Sequence, residues 1–425
     1  MLSIRKAYYW IFIYFLIVQA LAPTLVGFSD ELGVLFMLIL IALDIAINKN
    51  FKRYTSIYCV VGIMAFYAVY SVVALNFNTP KAIANDFIIQ LKPYIPFFLV
   101  YAIAPEFTPS EKETIKKTCV VMSVIVVLLG IVSFVNMRIV RNLLGHVAFV
   151  GIITTLVSSV YMLMSIDKDG KVSKRDLGIA TLMLVGGLTC TRSKFYGEFI
   201  FAMYLFYLYK PGVLKRVKIK QLILFCVIFF AIIWAAWEKI SFYFLTDGID
   251  GFDEEMLVHL ARPALYAGMG MILIDFPFLG TGLASFATFA SSPSVNYSEV
   301  YRMYDLDKVW GLSYNVPDFI CDCFFPELAQ FGLIGIAIFI IFFAWIYKKM
   351  RLLLHTRGKY AFAVAMLIFA SVFIEGTTGS AFMQAAGVMQ MSILGLSIAQ
   401  FRNIDKQKAR EILASDYHKP CLRLS

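Results

Sequence analysis

Two cations, Arg192 and Lys194, interrupt the apolar stretch "LTCTRSKFYGEFIFAMYLFYLY". Arg138 and Arg141 stand one helical turn apart after another apolar run, and Arg262 with Tyr266 follows further on. Guanidinium groups offer a rigid fork of donors and ammonium groups a compact charge, and together they suit phosphate or pyrophosphate oxygens. Asp318, Asp322 and Glu327 add carboxylates, and His259 lies three residues before Arg262. Each has a plainer reading. Lys194 can pair with Glu198 one turn later, and Arg192 can snorkel to an interface. Asp318 and Asp322 share one face if their stretch is helical, where they would simply meet water. Tyr297, Tyr301, Tyr304, Trp310 and Tyr314 suit the apolar faces of sugars and equally suit an interfacial belt. Gly280 and Gly282 read more readily as a turn than as a phosphate cradle.

The elements that must position these groups are membrane helices. The 425 residues are 60% hydrophobic and 16% charged, with a mean hydropathy of +0.77, which excludes an ordinary soluble globule. Apolar stretches long enough to cross about 30 Å of hydrocarbon recur about twelve times. They are expected near 8–27, 31–48, 55–75, 87–104, 118–136 and 146–165, then near 177–190, 195–209, 221–241, 327–348, 360–376 and 380–400. The fold class expected is an all-α polytopic membrane protein, with residues 1–425 as one integral membrane domain. The short pair at 177–190 and 195–209 can also form a re-entrant hairpin without changing sidedness. "ALA" at 20–22 resembles a signal-peptidase site, but Pro23 follows, so an uncleaved anchor is expected. The seven cysteines show no disulfide or zinc spacing, and no metal or cofactor is expected.

With the N-terminus inside, roughly 28 of the 38 basic residues fall on one side, including "DKDGKVSKRD", "KPGVLKRVKIK" and "KKMRLLLHTRGK". The net charge of +10 is thus a topology signal with anionic-lipid attraction added, and it requires no nucleic-acid partner. Both termini are expected on the cytoplasmic side. The exceptions lie outside or near it: Lys81, Lys92, Arg138, Arg141, Arg192, Lys194, Lys239, Arg262, Arg302 and Lys308. Most connections are short, whereas 242–326 forms one long extracytoplasmic loop between the ninth and tenth spans, too aromatic for a linker. Within it, 259–289 reads as an amphipathic helix bounded by Arg262 and Asp275, followed by Pro277 and the paired glycines.

These features resemble the bacterial O-antigen polymerase and O-antigen ligase family. "TRSK" is similar to the family's Thr-x-Ser-Arg turn with Ser and Arg exchanged. "ARPALYAGMGMILIDFPFLGTGLASF" is similar to its pattern of Arg, aromatic, Pro and Gly-x-Gly, filled here by Arg262, Tyr266, Pro277, Gly280 and Gly282. Ligases of the family carry a His-Asn pair nine residues before Gly-x-x-Gly. Counting back from Gly332 and Gly335 puts Cys321 and Asp322 there, so the ligase histidine is missing.

The resemblance implies a GT-C-like glycosyltransferase of the cytoplasmic (inner) membrane, without nucleotide sugar or metal. Its donor would be an undecaprenyl-pyrophosphate-linked oligosaccharide, transferred to a lipid-linked acceptor repeat on the outer face. Membrane lipids and a chain-length regulator are the other expected partners. Arg192 and Arg262 are expected to stabilise the leaving pyrophosphate, with Lys194, Arg138 and Arg141 behind them and Tyr266 and Glu327 also in the binding site. Asp322, then Asp318, then Glu327 are the candidate bases, with His259 a displaced alternative; His146 reads as an interface residue. The loss of the histidine favours a polymerase over a ligase. A flippase is the third reading, disfavoured by few intramembrane charges and one long external loop.

Overall fold

The computed structural model of the chain describes residues 4–21, 28–210, 261–356 and 358–402. Helix is the only regular secondary structure among them. The principal helices are α1 (Ile4–Leu21), α2 (Ser29–Asn48), α3 (Thr55–Tyr70), α4 (Pro80–Leu91), α5 (Tyr94–Ile103), α6 (Pro109–Ser133), α7 (Met137–Leu144), α8 (Ala148–Ser165), α9 (Lys174–Gly187) and α10 (Ser193–Met203). They continue with α11 (Ala261–Asp275), α12 (Gly332–Arg351), α13 (Gly358–Thr377) and α14 (Ala385–Ile398). Six helical segments among the described residues are long and apolar enough to cross a membrane: 51–75, 80–103, 109–133, 148–165, 324–356 and 358–377. The chain is an all-helical membrane protein. The expected span at 221–241 lies outside the described residues, as do Lys239 and His259.

Local chemistry sets the boundaries. Thr108 and Glu111 form a capping box at the start of α6, with Pro109 in the first turn, where its missing N–H costs nothing. The segment expected at 87–104 begins earlier, because Thr79 caps α4 at Pro80, and it breaks at Lys92–Pro93, where proline cannot supply a helical donor. α8 and α14 are buried along most of their length and form the middle of the bundle. Val124 and Leu128 of α6 and Ile340 and Ile341 of α12 stay exposed, as lipid-facing positions do.

Contacts at the helix ends sort the loops as the charge pattern does. At one end Arg5 meets Glu111 at 2.5 Å, Arg53 meets Asp44 at 3.1 Å, Lys116 meets Asp176 at 2.8 Å, and Lys349 reaches the Phe401 carbonyl at 2.7 Å. At the other end Lys92 bridges Asp30 and Glu31 at 2.8 and 2.7 Å. The described part of the long loop also packs there.

That loop has its own small core, in which Leu265, Phe286, Tyr301 and Ile320 are fully buried. Tyr297 and Tyr301 belong to it, with hydroxyls bonded to the Leu312 carbonyl (2.7 Å) and the Ala287 amide (2.9 Å). Both are thus corrected from the sugar-or-belt reading; Trp310 and Tyr314 do remain exposed. α11 stops at Asp275, two residues before Pro277, so the helix is confined to the first half of 259–289.

The turn after it is held against the start of α12. The Leu333 amide donates to the Pro277 carbonyl (2.8 Å), and the Gly282 amide to the Gln330 carbonyl (2.8 Å). Gly280 and Gly332 lie at the crossing with φ of +67° and +61°. A Cβ on Gly280 would lie 2.2 Å from the Ala329 oxygen, and one on Gly332 would lie 2.5 Å from the Gly280 nitrogen. The two glycine motifs are therefore one packing joint rather than a phosphate cradle. Gly280→Ala or Gly332→Ala adds left-handed strain, about 1–2 kcal/mol, to a backbone clash that cannot relax. Each is expected to lower the melting temperature in detergent clearly, whereas Gly270→Ala, which meets nothing within 4 Å, leaves it unchanged or slightly raised.

Candidate functional site

The end of the bundle that carries the long loop gathers four elements. The turn between α9 and α10 reverses at Thr191 (φ +51°), which places Arg192 just before α10 and Lys194 in its first turn. α7 and the turn that leads into α8 bring Arg141 and His146; α11 brings Arg262 and Tyr266; the end of α13 brings Glu375 and Thr377.

Arg262 Nε donates to Asp322 Oδ2 at 2.6 Å, with the Phe319 ring 5.9 Å from the guanidinium carbon. Lys194 Nζ donates to Glu375 Oε2 (2.7 Å) and to the Thr378 carbonyl (3.0 Å). The expected Lys194–Glu198 pair is not formed: Glu198 is buried inside the bundle and accepts a hydrogen bond from Thr155 (2.8 Å). Tyr266 donates to the Thr377 carbonyl (2.8 Å) and so ties α11 to the end of α13.

Arg192 does not snorkel. Its Nη2 stands 3.1 Å from His146 Nε2, while the Ala148 amide donates to His146 Nδ1 at 3.1 Å. Burial of part of the ring, and then the charges of Arg192, Lys194, Arg141 and Arg262, hold the imidazole below its ordinary pKa. A neutral imidazole has a single acceptor nitrogen, so only one of those two donors can be satisfied. Arg192 Nε is buried with no acceptor at all. The guanidinium therefore has donors left over, as expected of a group that waits for an anion.

Four cations thus act on one histidine, and two carboxylates, Asp322 and Glu375, answer them. Burial raises the Asp322 carboxyl above its usual range, with Arg262 and Lys194 pulling it back. A cluster with this excess of positive charge, partly shielded from water, can hold a phosphate or pyrophosphate group and stabilise charge on it.

Other candidates fall elsewhere. Asp318 and Asp322 do not share a helical face, because 312–322 is a succession of turns; Asp318 is exposed while Asp322 is held by Arg262. Arg138 sits on the exposed side of α7. Glu327 is 1% exposed and accepts a hydrogen bond from Gln90 beside the buried Asp86, so it lies under the cluster rather than in it. His146 is the residue that the interface reading passed over; its signal was a lone histidine two residues before a span, beside the Arg138/Arg141 pair. Glu375 carried a signal too, as a single acid in the apolar run "ASVFIEGTTGS". Among the described residues no group of three or more His, Cys, Asp or Glu side chains is placed to hold a metal.

No protein-family model matches the chain, and no curated protein matches it significantly.

Because the fold favours neutral His146, its contribution to stability is complete above the unfolded pKa of about 6.5 and is lost as pH falls through that value toward the lower folded one. Thermal melting followed from pH 7.5 to 5 is expected to decline in the wild type. His146→Gln is expected to flatten that part of the curve, and Arg192→Ala to make the decline shallower and end it at higher pH, because a raised folded pKa lies closer to the unfolded one.

Proposed function

We propose that this protein is a polysaccharide repeat-unit polymerase, a glycosyltransferase making O-antigen, capsule or exopolysaccharide. It takes an undecaprenyl-pyrophosphate-linked glycan as donor and extends a lipid-linked acceptor repeat on the outer face of the cytoplasmic membrane. The observation that carries this reading is the convergence of Arg192, Lys194 and Arg262, drawn from two distant parts of the chain, with Arg192 Nε left without an acceptor. In a glycosyl transfer the difficult charge is the one that builds on the departing pyrophosphate, and prearranged cations at that point lower the barrier most. Asp322 aims Arg262, and Tyr266 fixes the helix that bears it.

In this reading α1, α2, α9, α10 and α14 join the six long helices as membrane segments. With 221–241 they give the twelve spans of a GT-C-like enzyme. The basic end of the bundle faces the cytoplasm with both termini, and the loop end faces outward. Transfer of finished glycan by a ligase is the second reading. The observation in its favour is that a histidine, His146, does stand among the cations, although outside the family's position and already in contact with Arg192.

The test is a gel ladder of surface glycans from cells that carry Arg192→Ala or Arg262→Ala at matched levels of membrane protein. Both variants are expected to stop at a single repeat, a loss of at least about 100-fold in long chains by the magnitude of comparable transition-state contacts. Normal chain lengths in both would overturn the pyrophosphate assignment. Long chains accumulating on the carrier lipid without reaching an acceptor would identify the ligase.

A further inference from the structure

Next to the cation cluster lies a cavity of about 260 Å³. Three chain segments run from one to the other. Phe149 of the cavity follows His146 by one turn, Cys321 precedes Asp322, and Ser380 follows Thr378, whose carbonyl holds Lys194. Its wall is mixed in a way that suits a sugar, with Asn85, Ser380 and Gln384 for hydroxyl groups and the rings of Phe149 and Phe289 for the apolar face of a pyranose. The volume lies below the roughly 300–1,000 Å³ of drug-sized sites, which fits one terminal ring rather than a lipid tail.

Glu327 stands on this wall, 1% exposed. Its Oε1 accepts the Gln90 amide and its Oε2 makes no hydrogen bond among the described residues. Lys92, the cation of the same wall, is committed to Asp30 and Glu31, so no described cation forms an ion pair with Glu327. Asp322 is the opposite case: Arg262 occupies Oδ2 at 2.6 Å, which leaves it poorly placed to take a proton. A general base needs a free lone pair facing the space that the hydroxyl enters.

We infer that the cavity is the subsite for the terminal sugar of the acceptor and that Glu327, not Asp322, is the base. The inference rests on the glycosyl-transfer reading for its chemistry. The acceptor hydroxyl gives its proton to Glu327 Oε2, and its oxygen forms the new bond to the donor's anomeric carbon. The bond from that carbon to the pyrophosphate oxygen breaks, and its electron pair leaves on undecaprenyl pyrophosphate, held by Arg192, Lys194 and Arg262. Asp322 acts as a positioning residue through Arg262.

Two measurements on the purified full chain in nanodiscs decide the matter. With the lipid-linked repeat as donor and acceptor, Glu327→Gln is expected to cut turnover at saturating donor at least about 100-fold while donor KM stays within about threefold of wild type. Asp322→Asn is expected to raise donor KM more than it lowers turnover. Glu327→Gln turnover within about threefold of wild type, or the reverse KM and turnover pattern for the two variants, would sink the assignment of the base. Saturation-transfer NMR with the delipidated repeat tests the subsite without any transfer. Its signal should be lost in Ser380→Leu or Gln384→Leu and kept in Arg192→Ala; an unchanged signal in both leucine variants overturns the subsite. A wild type that binds the repeat in the cavity but elongates nothing would remove the polymerase reading and the base together, and would leave the sugar site standing.

Discussion

Everything at the loop end of the bundle depends on two backbones passing closer than a side chain permits. Gly280 and Gly332 meet with positive φ and no room for a Cβ, and this contact fixes where the described part of the long loop, 261–326, sits on the helices. With the turn at 276–282 pinned to the start of α12, α11 packs against 324–331, Tyr266 reaches the end of α13, and Arg262 stands next to Asp322. The buried carboxylate of Asp86 secures the next part of the loop, accepting hydrogen bonds from the Ala284 amide (2.7 Å) and the Thr288 hydroxyl (2.5 Å). Asn78 holds the same strip through the Ala284 and Asn296 carbonyls. The loop is thus a packed lid on the bundle, and its precision is inherited by the site.

Pairing follows from the medium. Charges removed from water are tolerated when each finds an opposite charge or a full set of hydrogen bonds. Lys92 does so with Asp30 and Glu31, Lys194 with Glu375, and Arg262 with Asp322. Arg192 is the exception among these cations, and the exception is informative: among the described residues it is the one guanidinium with a buried unused N–H, and it touches the histidine on which four cations act.

The helical membrane class and the cations were legible in the sequence, because hydrophobic run length and charge are local properties. The partners were not. Glu375 is 181 residues from Lys194, and no periodicity within one helix says which face of another it will meet. Lys194 and Glu198 satisfy the one-turn rule, yet the tertiary pair replaced it because Glu198 turns inward to Thr155. The tyrosines were ambiguous for a different reason: an aromatic ring with a hydroxyl fits a sugar, an interface or a core, and only burial separates the three. For Asp318 and Asp322 the open condition was the backbone: four-residue spacing gives a shared face only in a helix, and 312–322 is a succession of turns.

The left-handed residue at Thr191 has a consequence of its own. By reversing the chain within one residue it makes Arg192 and Lys194 the opening of α10, the end at which the aligned peptide dipoles already carry about half a positive charge. Helices favour acids there, and each misplaced cation costs roughly 0.3–1 kcal/mol. The hairpin is consequently built against its own macrodipole, so that the first turn of α10 projects a field toward whatever occupies the cluster in addition to that of the side chains.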